Sequence, residues 1–521
     1  MMLQINQVVC PLDVDLTQLH FYIAKKCRIK PEDILRYTVL RKSLDARETP
    51  CLKISVLLDT PLEKKLLARK NRDIQKAIKI PPLVYPRSSF LDRPIIVGFG
   101  PAGMFAAMAL AEAGCRPIIL ERGRMMEQRI QDVETFWKTG KLDPISNVQF
   151  GEGGAGTFSD GKLTTRIKDQ RISYILHKLV EAGANPDILI EQHPHLGTDK
   201  LRQIVPQLRK KIEKMGGEFY FECHVDRCII EKNRLIGVAC KNQEFRSQHI
   251  IFAIGHSATD TYHMLHKANV AMSQKDFAVG VRVEHAQKWV NHTQYQHYAD
   301  HSALKNAEYR LTHTTCDGRG VYTFCMCPGG SVVAASSSEN QLVINGMSES
   351  SRSSNNANSA ILVQVKTSDL LPHLFAGLEY LETIEKKAFE LGGQHFKAPI
   401  QQIRNFLKLP QLEPDIQASY PLNKTICDLH DLFDPFICKA LEEALIAFDH
   451  KMPGFVSGLL TAPETRSSSP LRIQRNENCE SNIKGLYPCG EGAGYAGGIM
   501  SSALDGLRCA EAILKDDHQS Q

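Results

Sequence analysis

The feature that most constrains this chain is a glycine-rich turn between an apolar strand and an apolar helix. It lies in RPIIVGFGPAGMFAAMALAEAGCRPIILERG, which begins at Arg93 and contains G-x-G-x-x-G at Gly98, Gly100 and Gly103. These glycines permit a tight turn, a close approach of the backbone to a pyrophosphate and close packing of the helix on the strand. The N-terminus of the helix, which includes Ala102, then faces the phosphates. The sequence predicts a Rossmann-like dinucleotide-binding unit.

The second strand of this unit, PIIL, ends at Glu121 and is followed by Arg122. A carboxylate at that position is expected to accept hydrogen bonds from the ribose hydroxyls of an adenosine. It also disfavours a 2′-phosphate, which argues against NADP at this site. We therefore predict that Glu121 and Arg122 contact the adenosine half of FAD or NAD.

A second glycine-rich segment near the C-terminus distinguishes between these two cofactors. GLYPCGEGAGYAGGIMSSALDG, from Gly485, resembles the second flavin motif of FAD oxidoreductases, although an ordinary helix start is the alternative interpretation. The positive end of a helix dipole stabilises the negative charge that a reduced flavin carries. The resemblance implies that the cofactor is FAD and that Glu491 bonds to its ribityl or pyrophosphate group. The other predicted contacts are Gly490, Gly497, Gly498 and Ile499.

Two further stretches agree with FAD binding. One, beginning FECHVDR, resembles the segment whose backbone contacts the adenine and leads to a strand ending in A-x-G. The other, FGEGGAGTFSDGKL, is dense in glycine before small hydroxyl residues, as expected of a loop passing close to a pyrophosphate. The predicted contacts here are Gly154, Gly156, Thr157, Val225, Ala253 and Gly255.

Candidate catalytic residues lie in the loop TAPETRSSSP, just before the second flavin motif. Arg466 is placed to hold an anionic substrate or to donate to a developing negative charge. Glu464 is its neighbour, and a structural arginine that pairs with Glu464 or caps a helix is an equal alternative. His256 is a candidate proton donor, although that position more often lies near the adenosine.

The fifteen cysteines are scattered and odd in number, which favours reduced thiols over a disulfide framework. We find no zinc-ligand spacing, so no metal is predicted. Cys325 and Cys327 form a C-x-C pair, for which a redox role competes with simple strand packing. Cys489 is expected near the flavin as a small core residue.

The predicted fold is α/β, with a Rossmann-like, glutathione-reductase-type FAD domain, an inserted α+β substrate or cap domain and a small N-terminal α/β module. The expected boundaries are residues 1–90 for the module, 91–270 and 456–515 for the FAD domain, 271–455 for the cap and 516–521 for a frayed tail. The module is predicted as βαββα, with LEKKLLARKNRDIQKAI as its last helix and PPLVYPRSS as the linker. Residues 349–359 are predicted to form a polar loop.

The N-terminal module carries a charge excess. Residues 1–90 hold 17 Lys+Arg and 9 Asp+Glu, a balance of +8 within a chain of +5. Such a surface is suited to RNA or an acidic protein, although a solvated helix face is the more usual reason for a charge run. The mean hydropathy of −0.24 and the absence of a secretory signal pattern predict a cytoplasmic protein without membrane spans.

Taken together, these segments resemble the bacterial family of uncharacterised NAD(FAD)-utilising dehydrogenases. The resemblance covers about residues 93 to 515 and rests on GFGPAGMFAA, GEGGAGTFSDGKL, AIGHSATDT, YTFCMCPGG, LLTAPETRSSSPLRI and YPCGEGAGYAGGIMSSALDG. It implies FAD and a two-domain flavoprotein body with an added N-terminal module. The segment SSRSSNN departs from the more Gly- or Asp-rich turn expected there.

The leading functional hypothesis is an FAD-dependent oxidoreductase of a small organic substrate, with NAD(P)H or a protein as electron donor. One alternative is a flavoprotein bound to RNA or an acidic protein through its basic module. The other is a redox sensor whose flavin does not turn over.

Overall fold

The structure is a computed structural model that describes residues 2–78, 81–88, 92–410 and 416–519. In chain order, strands β1 to β23 are Leu3–Cys10, Arg36–Asp45, Cys51–Asp59, Ile74–Lys76, Ile95–Val97, Ile118–Leu120, Glu218–Tyr220, Arg227–Glu231, Arg234–Cys240, Gln243–Arg246, Ile250–Phe252, Met272–Gln274, Phe277–Ala286, Thr312–Thr314, Gly320–Cys327, Ser331–Ala334, Ile344–Met347, Asn356–Val365, Ala398–Gln402, Lys424–Ile426, Leu459–Glu464, Leu471–Ile473 and Leu486–Pro488. Helices α1 to α12 are Leu19–Cys27, Glu63–Ala68, Pro101–Glu112, Met126–Thr139, Arg171–Glu181, Thr198–Lys214, Thr259–Lys267, Gln287–Tyr295, Ala376–Leu391, Ile403–Phe406, Pro435–Lys451 and Ile499–Gln519. None of these described helices combines the length and apolar character needed to cross a membrane.

A five-stranded parallel sheet carries both glycine-rich motifs. Its strand order is β23-β11-β5-β6-β7. Every residue of β5 is buried, and α3 is buried around almost its whole circumference, as expected when helices cover a parallel sheet. The turn after β5 therefore lies at the carboxyl end of the sheet, where open α/β sheets bind ligands.

A second, seven-stranded sheet is built mainly from the middle of the chain. Its order is β14-β15-β18-β13-β21-β19-β20, and its neighbours are antiparallel apart from β19 and β20. One face packs on α9 and α11 through buried aliphatic and aromatic residues. β21 extends this sheet past residue 455, where the cap was expected to end.

The N-terminal module is a four-stranded sheet of order β2-β3-β1-β4 with α1 packed on it. Its first four elements, β1, α1, β2 and β3, follow the predicted order of strand, helix, strand and strand. The last predicted helix, however, is wrong beyond Ala68, because the chain turns there and residues Ile74–Lys76 form β4. Ile74 is buried opposite Ile5 of β1, so pairing with a sheet edge outweighs the local helical tendency of this charged segment.

The module contacts the rest of the chain through backbone hydrogen bonds. Lys42 N donates to Ile190 O at 2.6 Å, and Gln192 N donates to Lys42 O at 3.0 Å. Within the predicted linker, Tyr85 is buried in the core beneath α3 and α12, and its hydroxyl donates to Glu511. The expected boundary near residues 89–91 lies outside the described residues.

Two other local predictions are wrong. The polar stretch 349–359 is a loop only in its first half, because Asn356 begins β18, which pairs with both β13 and β15. Near the C-terminus, α12 continues to Gln519 instead of fraying after residue 515, and residues 520–521 lie outside the described part.

Candidate functional site

A cavity of about 1180 Å³ lies between the carboxyl end of the parallel sheet and the seven-stranded sheet. Its first wall, here called the glycine wall, consists of the turn at 98–102, the loop at 149–156 and the turn at 497–499. The opposite wall, here called the sheet wall, consists of parts of β14, β15 and β21. The predicted site residues that border the cavity are Gly98, Gly100, Ala102, Glu121, Arg122, Gly154, Gly156, Val225, Ala253, Gly255, His256, Glu464, Arg466, Glu491, Gly497, Gly498 and Ile499.

Three other predicted contacts support this wall from behind. A Cβ on Gly103 would lie 1.9 Å from the Gly98 carbonyl oxygen, so this glycine permits α3 to pack on the turn. A Cβ on Gly490 would lie 2.7 Å from the Ala102 Cβ. Thr157 is 1% exposed. Gly103 and Gly490 therefore serve close packing between elements of the wall.

The glycine wall leaves room where a dinucleotide needs it. A Cβ on Gly100 would meet only Gly154 Cα, at 3.8 Å, and a Cβ on Gly255, Gly497 or Gly498 would meet nothing within 4 Å. These positions are open in the protein itself, in contrast to Gly103. The residues present thus fit a dinucleotide cradle that side chains would fill.

Two helix N-termini point to this cradle. α3 begins at Pro101 and α12 at Ile499, and the residues at both starts border the cavity. The helices pack so closely that a Cβ on Gly506 would lie 2.0 Å from the Ala102 carbonyl oxygen. Their unpaired N–H groups and dipole ends make this region favourable for anionic groups.

Glu121 connects the parts of the glycine wall. Its carboxylate accepts hydrogen bonds from the backbone N–H groups of Phe99 at 2.8 Å, Gly123 at 2.9 Å and Gly151 at 3.0 Å. The side chain is only 5% exposed, at the border of the cavity. Because a carboxylate has about four acceptor sites, Glu121 retains capacity for a ribose hydroxyl while it also fixes two loops.

Arg129 is a functional residue that the sequence reasoning missed. Its fully buried guanidinium donates to the carbonyl oxygens of the 147–154 loop, at 2.9 Å to Asn147, 3.0 Å to Val148, 2.6 Å to Glu152 and 3.0 Å to Gly154. Burial lowers the pKa of Arg129 to about 10. By holding the carbonyls inward, this arginine supports the loop whose glycines border the cavity. A single arginine on the apolar face of α4 was the available signal.

Arg122 borders the cavity near Val225, with its guanidinium 4.3 Å from the centre of the Phe150 ring. Its Nη2 donates to Asp260 at 2.7 Å. Asp260 also lies 3.2 Å from Nε2 of His224, and Cys223 N donates to the Glu121 carbonyl oxygen at 2.9 Å, so the segment predicted to contact adenine and the segment carrying Glu121 meet beside the cavity.

The candidate catalytic residues are near one another but do not pair as expected. Glu464 forms a buried ion pair with Arg282, with 2.9 Å between Oε2 and Nε. Arg466 pairs instead with Glu385, at 2.6 Å, while its own Nε is buried without a partner. The predicted structural pairing of Glu464 with Arg466 is therefore absent among these contacts.

His256 is poorly suited to donate a proton. Its Nε2 lies 2.5 Å from the Arg466 carbonyl oxygen, and a carbonyl accepts only, so this nitrogen carries the hydrogen. Burial lowers the pKa of His256 to about 4. The imidazole is consequently neutral near pH 7 and positions the loop of Arg466.

Glu491 borders the same cavity, and burial raises the pKa of its carboxyl to about 7, against the opposing charge of Lys275. This acid is poised between its two protonation states near neutral pH. Groups that border a cavity and have a strongly shifted pKa are frequent at functional sites.

Cys489 borders the cavity, as expected of a small residue near the flavin, and forms a buried group with Cys509 and Asp505, whose candidate ligand atoms are within 4.8 Å of one another. The carboxylate of Asp505 already accepts from Arg475, at 2.9 and 2.7 Å, and from Gly490 N at 2.8 Å. These contacts explain the cluster as structural support for the turn at Gly490.

Comparison with known proteins agrees with this geometry. Residues 276–467 match the family described as FAD-dependent protein, C-terminal domain-like, and residues 2–59 match a domain of unknown function. The chain is 42% identical over 531 residues to an uncharacterized protein of Clostridium beijerinckii, covering 99% of both chains. The chain belongs to the family of this clostridial protein. The description of the matched domain confirms the predicted resemblance and FAD as the cofactor.

Among solved structures, the chain resembles CtdE in complex with FAD, at 10% identity, 82% and 88% coverage of the two chains and a TM-score of 0.32. It also resembles L-proline dehydrogenase from P. horikoshii, at 11% identity, 83% and 95% coverage and a TM-score of 0.34.

Proposed function

We propose that this protein is an FAD-dependent oxidoreductase of a small organic substrate, built on a glutathione-reductase-type FAD fold. The observation that carries the proposal is the single cavity that joins the glycine wall to the sheet wall. At about 1180 Å³, it exceeds the roughly 300–1,000 Å³ usual for small-molecule pockets. That volume suits a dinucleotide together with a second molecule.

In this proposal, residues 91–270 and, apart from β21, residues 456–515 contribute the FAD domain, and residues 271–455 together with β21 contribute the substrate side. Glu121, Arg122 and Val225 hold the adenosine half. The N-terminus of α12, at Gly497–Ile499, supports the flavin. When bound, FAD supplies the two-electron redox chemistry.

The protein's own groups then bind, orient and balance charge. Glu491 accepts a hydrogen bond from a ribityl hydroxyl when it is ionised, or donates one to a pyrophosphate oxygen when it is protonated. Arg466 contacts the substrate side, because it borders the cavity directly after β21 of the sheet wall and its buried Nε lacks a hydrogen-bond partner.

The test begins with the purified full-length protein. We expect it to be yellow and to release FAD on denaturation; release of FMN, or of NAD alone, would contradict the proposal. Anaerobic reduction by NADH and by NADPH is then compared, followed by oxygen and by a panel of alkenes as oxidants. Reduction and repeated reoxidation support an oxidoreductase, whereas a bound flavin that no donor and acceptor pair turns over contradicts it.

A further inference from the structure

A bulge at the end of β15 contains the C-x-C pair, and Cys325 of this pair borders the cavity. The pairing of β15 with β18 shifts between Phe324 and Cys327, and Cys325 has a backbone φ of +44°. A non-glycine residue rarely adopts this left-handed conformation, and a bulge breaks the regular alternation of a strand. Cys325 and Met326, which lie in the bulge, border the cavity, and Cys327 is fully buried next to them.

Two cations lie close to the C-x-C pair, namely the fully buried Arg282 and the partly buried Lys162. Cys327 Sγ donates to the Cys325 carbonyl oxygen at 3.2 Å, and Arg282 Nη1 lies 3.9 Å from the same sulfur. Lys162 Nζ donates to the Met326 carbonyl oxygen. Both cations also have acidic partners, Glu464 for Arg282 and Asp160, at 3.0 Å, for Lys162.

This environment separates the chemistry of the two sulfurs. The neighbouring Cys327 side chain lowers the pKa of the Cys325 thiol, as do the charges of Lys162 and Arg282, while burial and the charge of Asp160 oppose this shift. The neighbouring Cys325 side chain and burial raise the pKa of Cys327 well above its usual value. The environment therefore favours Cys325 as the thiolate of the pair and Cys327 as the thiol that holds its proton.

Other cysteines behave differently. Burial raises the pKa of Cys27 and Cys438 to about 11 and that of Cys228 to about 12. Cys325 also lies close enough to Glu491 to contribute to the raised pKa of that carboxyl, which relates the pair to the end of the cavity where α12 begins.

We propose that Cys325 and Cys327 are a redox-active dithiol that exchanges an electron pair with the flavin in this cavity. With Cys325 as the thiolate, joining the two sulfur atoms removes two electrons from the pair and one proton from the Cys327 thiol. The electrons and the proton pass to the oxidised flavin. The reverse transfer breaks the S–S bond and restores the thiolate and the thiol.

The electron transfer rests on the proposed function, whereas the dithiol itself is tested without the flavin. Purified protein is treated with the thiol oxidant diamide, alkylated and digested with trypsin. Residues 320–352 form one tryptic peptide that contains only these two cysteines. We expect this peptide to become lighter by two hydrogens and to resist alkylation. Recovery of the peptide with both cysteines alkylated, after other thiols have been oxidised, would overturn the proposal.

The second measurement counts electrons in the holoprotein. Anaerobic dithionite titration of the wild type should consume one more electron pair per flavin than titration of Cys325→Ser or Cys327→Ser after oxidation. Cys316→Ser, which removes an exposed cysteine that is hydrogen-bonded to Glu443, should consume as many electrons per flavin as the wild type. Equal electron counts in the wild type and both serine variants would overturn the electron exchange. Failure to bind any flavin would instead contradict the proposed function and leave the peptide result standing.

Discussion

The two walls of the cavity are built by different means. The glycine wall presents backbone groups and open Cα positions, and its polar side chains, Glu121 and Arg129, mainly hold loops in place. The sheet wall presents side chains that are paired with partners far away in the chain, such as Arg282 with Glu464. The comparison teaches that backbone recognition is encoded in short motifs, while side-chain chemistry depends on strands that meet only after folding.

The strongest test of this contrast is removal of the arginine behind the glycine wall. Arg129→Met leaves several buried carbonyls without a donor, and each costs about 1–3 kcal/mol. We therefore expect a fall of several kcal/mol in the free energy of unfolding and loss of FAD, measured by urea unfolding and flavin absorbance. Arg202→Met is the control. Both arginines lie over the Phe158 ring, Arg129 at 4.8 Å and Arg202 at 4.7 Å from its centre, but the hydrogen bonds to the loop come from Arg129. Equal losses of unfolding free energy and of FAD in both variants would show that the hydrogen bonds of Arg129 do not support the loop.

Two glycines of one motif separate the cofactor from the fold. Gly100→Val should give a folded protein that lacks FAD, because its side chain enters the cradle without meeting backbone at close range. Gly103→Val should fail to fold, since even its Cβ collides with the Gly98 carbonyl. Circular dichroism and flavin content distinguish the two outcomes. Full FAD occupancy in Gly100→Val would place the pyrophosphate elsewhere.

Glu121→Ala should weaken FAD binding by roughly ten- to a hundredfold, because a hydrogen bond to a charged group is worth about 1.5–3 kcal/mol. The dissociation constant is measured by titrating apoprotein with FAD. Glu218→Ala, which removes a carboxylate paired with Arg93 at the edge of the same sheet, serves as the control. An unchanged constant for Glu121→Ala would show that this acid makes no net contribution to cofactor binding.

Glu491 predicts a pH dependence for the apoprotein. Its pKa is about 7 when folded against an ordinary value of 4.5, so the unfolded state loses this proton first as the pH rises. The contribution of this group is fully favourable below about pH 4.5, falls between there and about pH 7, and then levels off. Glu491→Gln should therefore raise the Tm by roughly a few degrees at pH 8 and leave it unchanged at pH 4.5. Parallel Tm profiles for the two proteins would show that the carboxyl is not destabilised by burial.

The variant with the smallest expected effect tests Arg466, next to the sheet wall. Arg466→Lys should keep FAD and its spectrum but slow reoxidation by substrate roughly tenfold, as for loss of one hydrogen bond of about 1.4 kcal/mol. Lysine retains the charge beside Glu385 but lacks the planar fork of donors. The matched change Arg472→Lys, on β22, should leave the rate unaltered. If Arg466→Lys releases FAD or turns over normally, Arg466 has a structural role only.

The sequence by itself determined the dinucleotide turn, the second flavin motif and most strands of the N-terminal module. Glycine spacing and alternating burial are local properties, so they can be read along the chain without knowing what lies opposite. The same locality explains the error at α2, where charged residues favour a helix until pairing with β1 decides otherwise.

Only the tertiary structure decided how the ionised side chains are partnered. Arg282 meets Glu464 across 182 residues of sequence, Arg466 meets Glu385 across 81, and Cys325, in the bulge of β15, borders the same cavity as Glu491. Each outcome depends on strand register and on burial, which set the local dielectric and the available partners. No periodicity in the sequence carries that information, because the groups become neighbours only when the two sheets enclose the cavity between them.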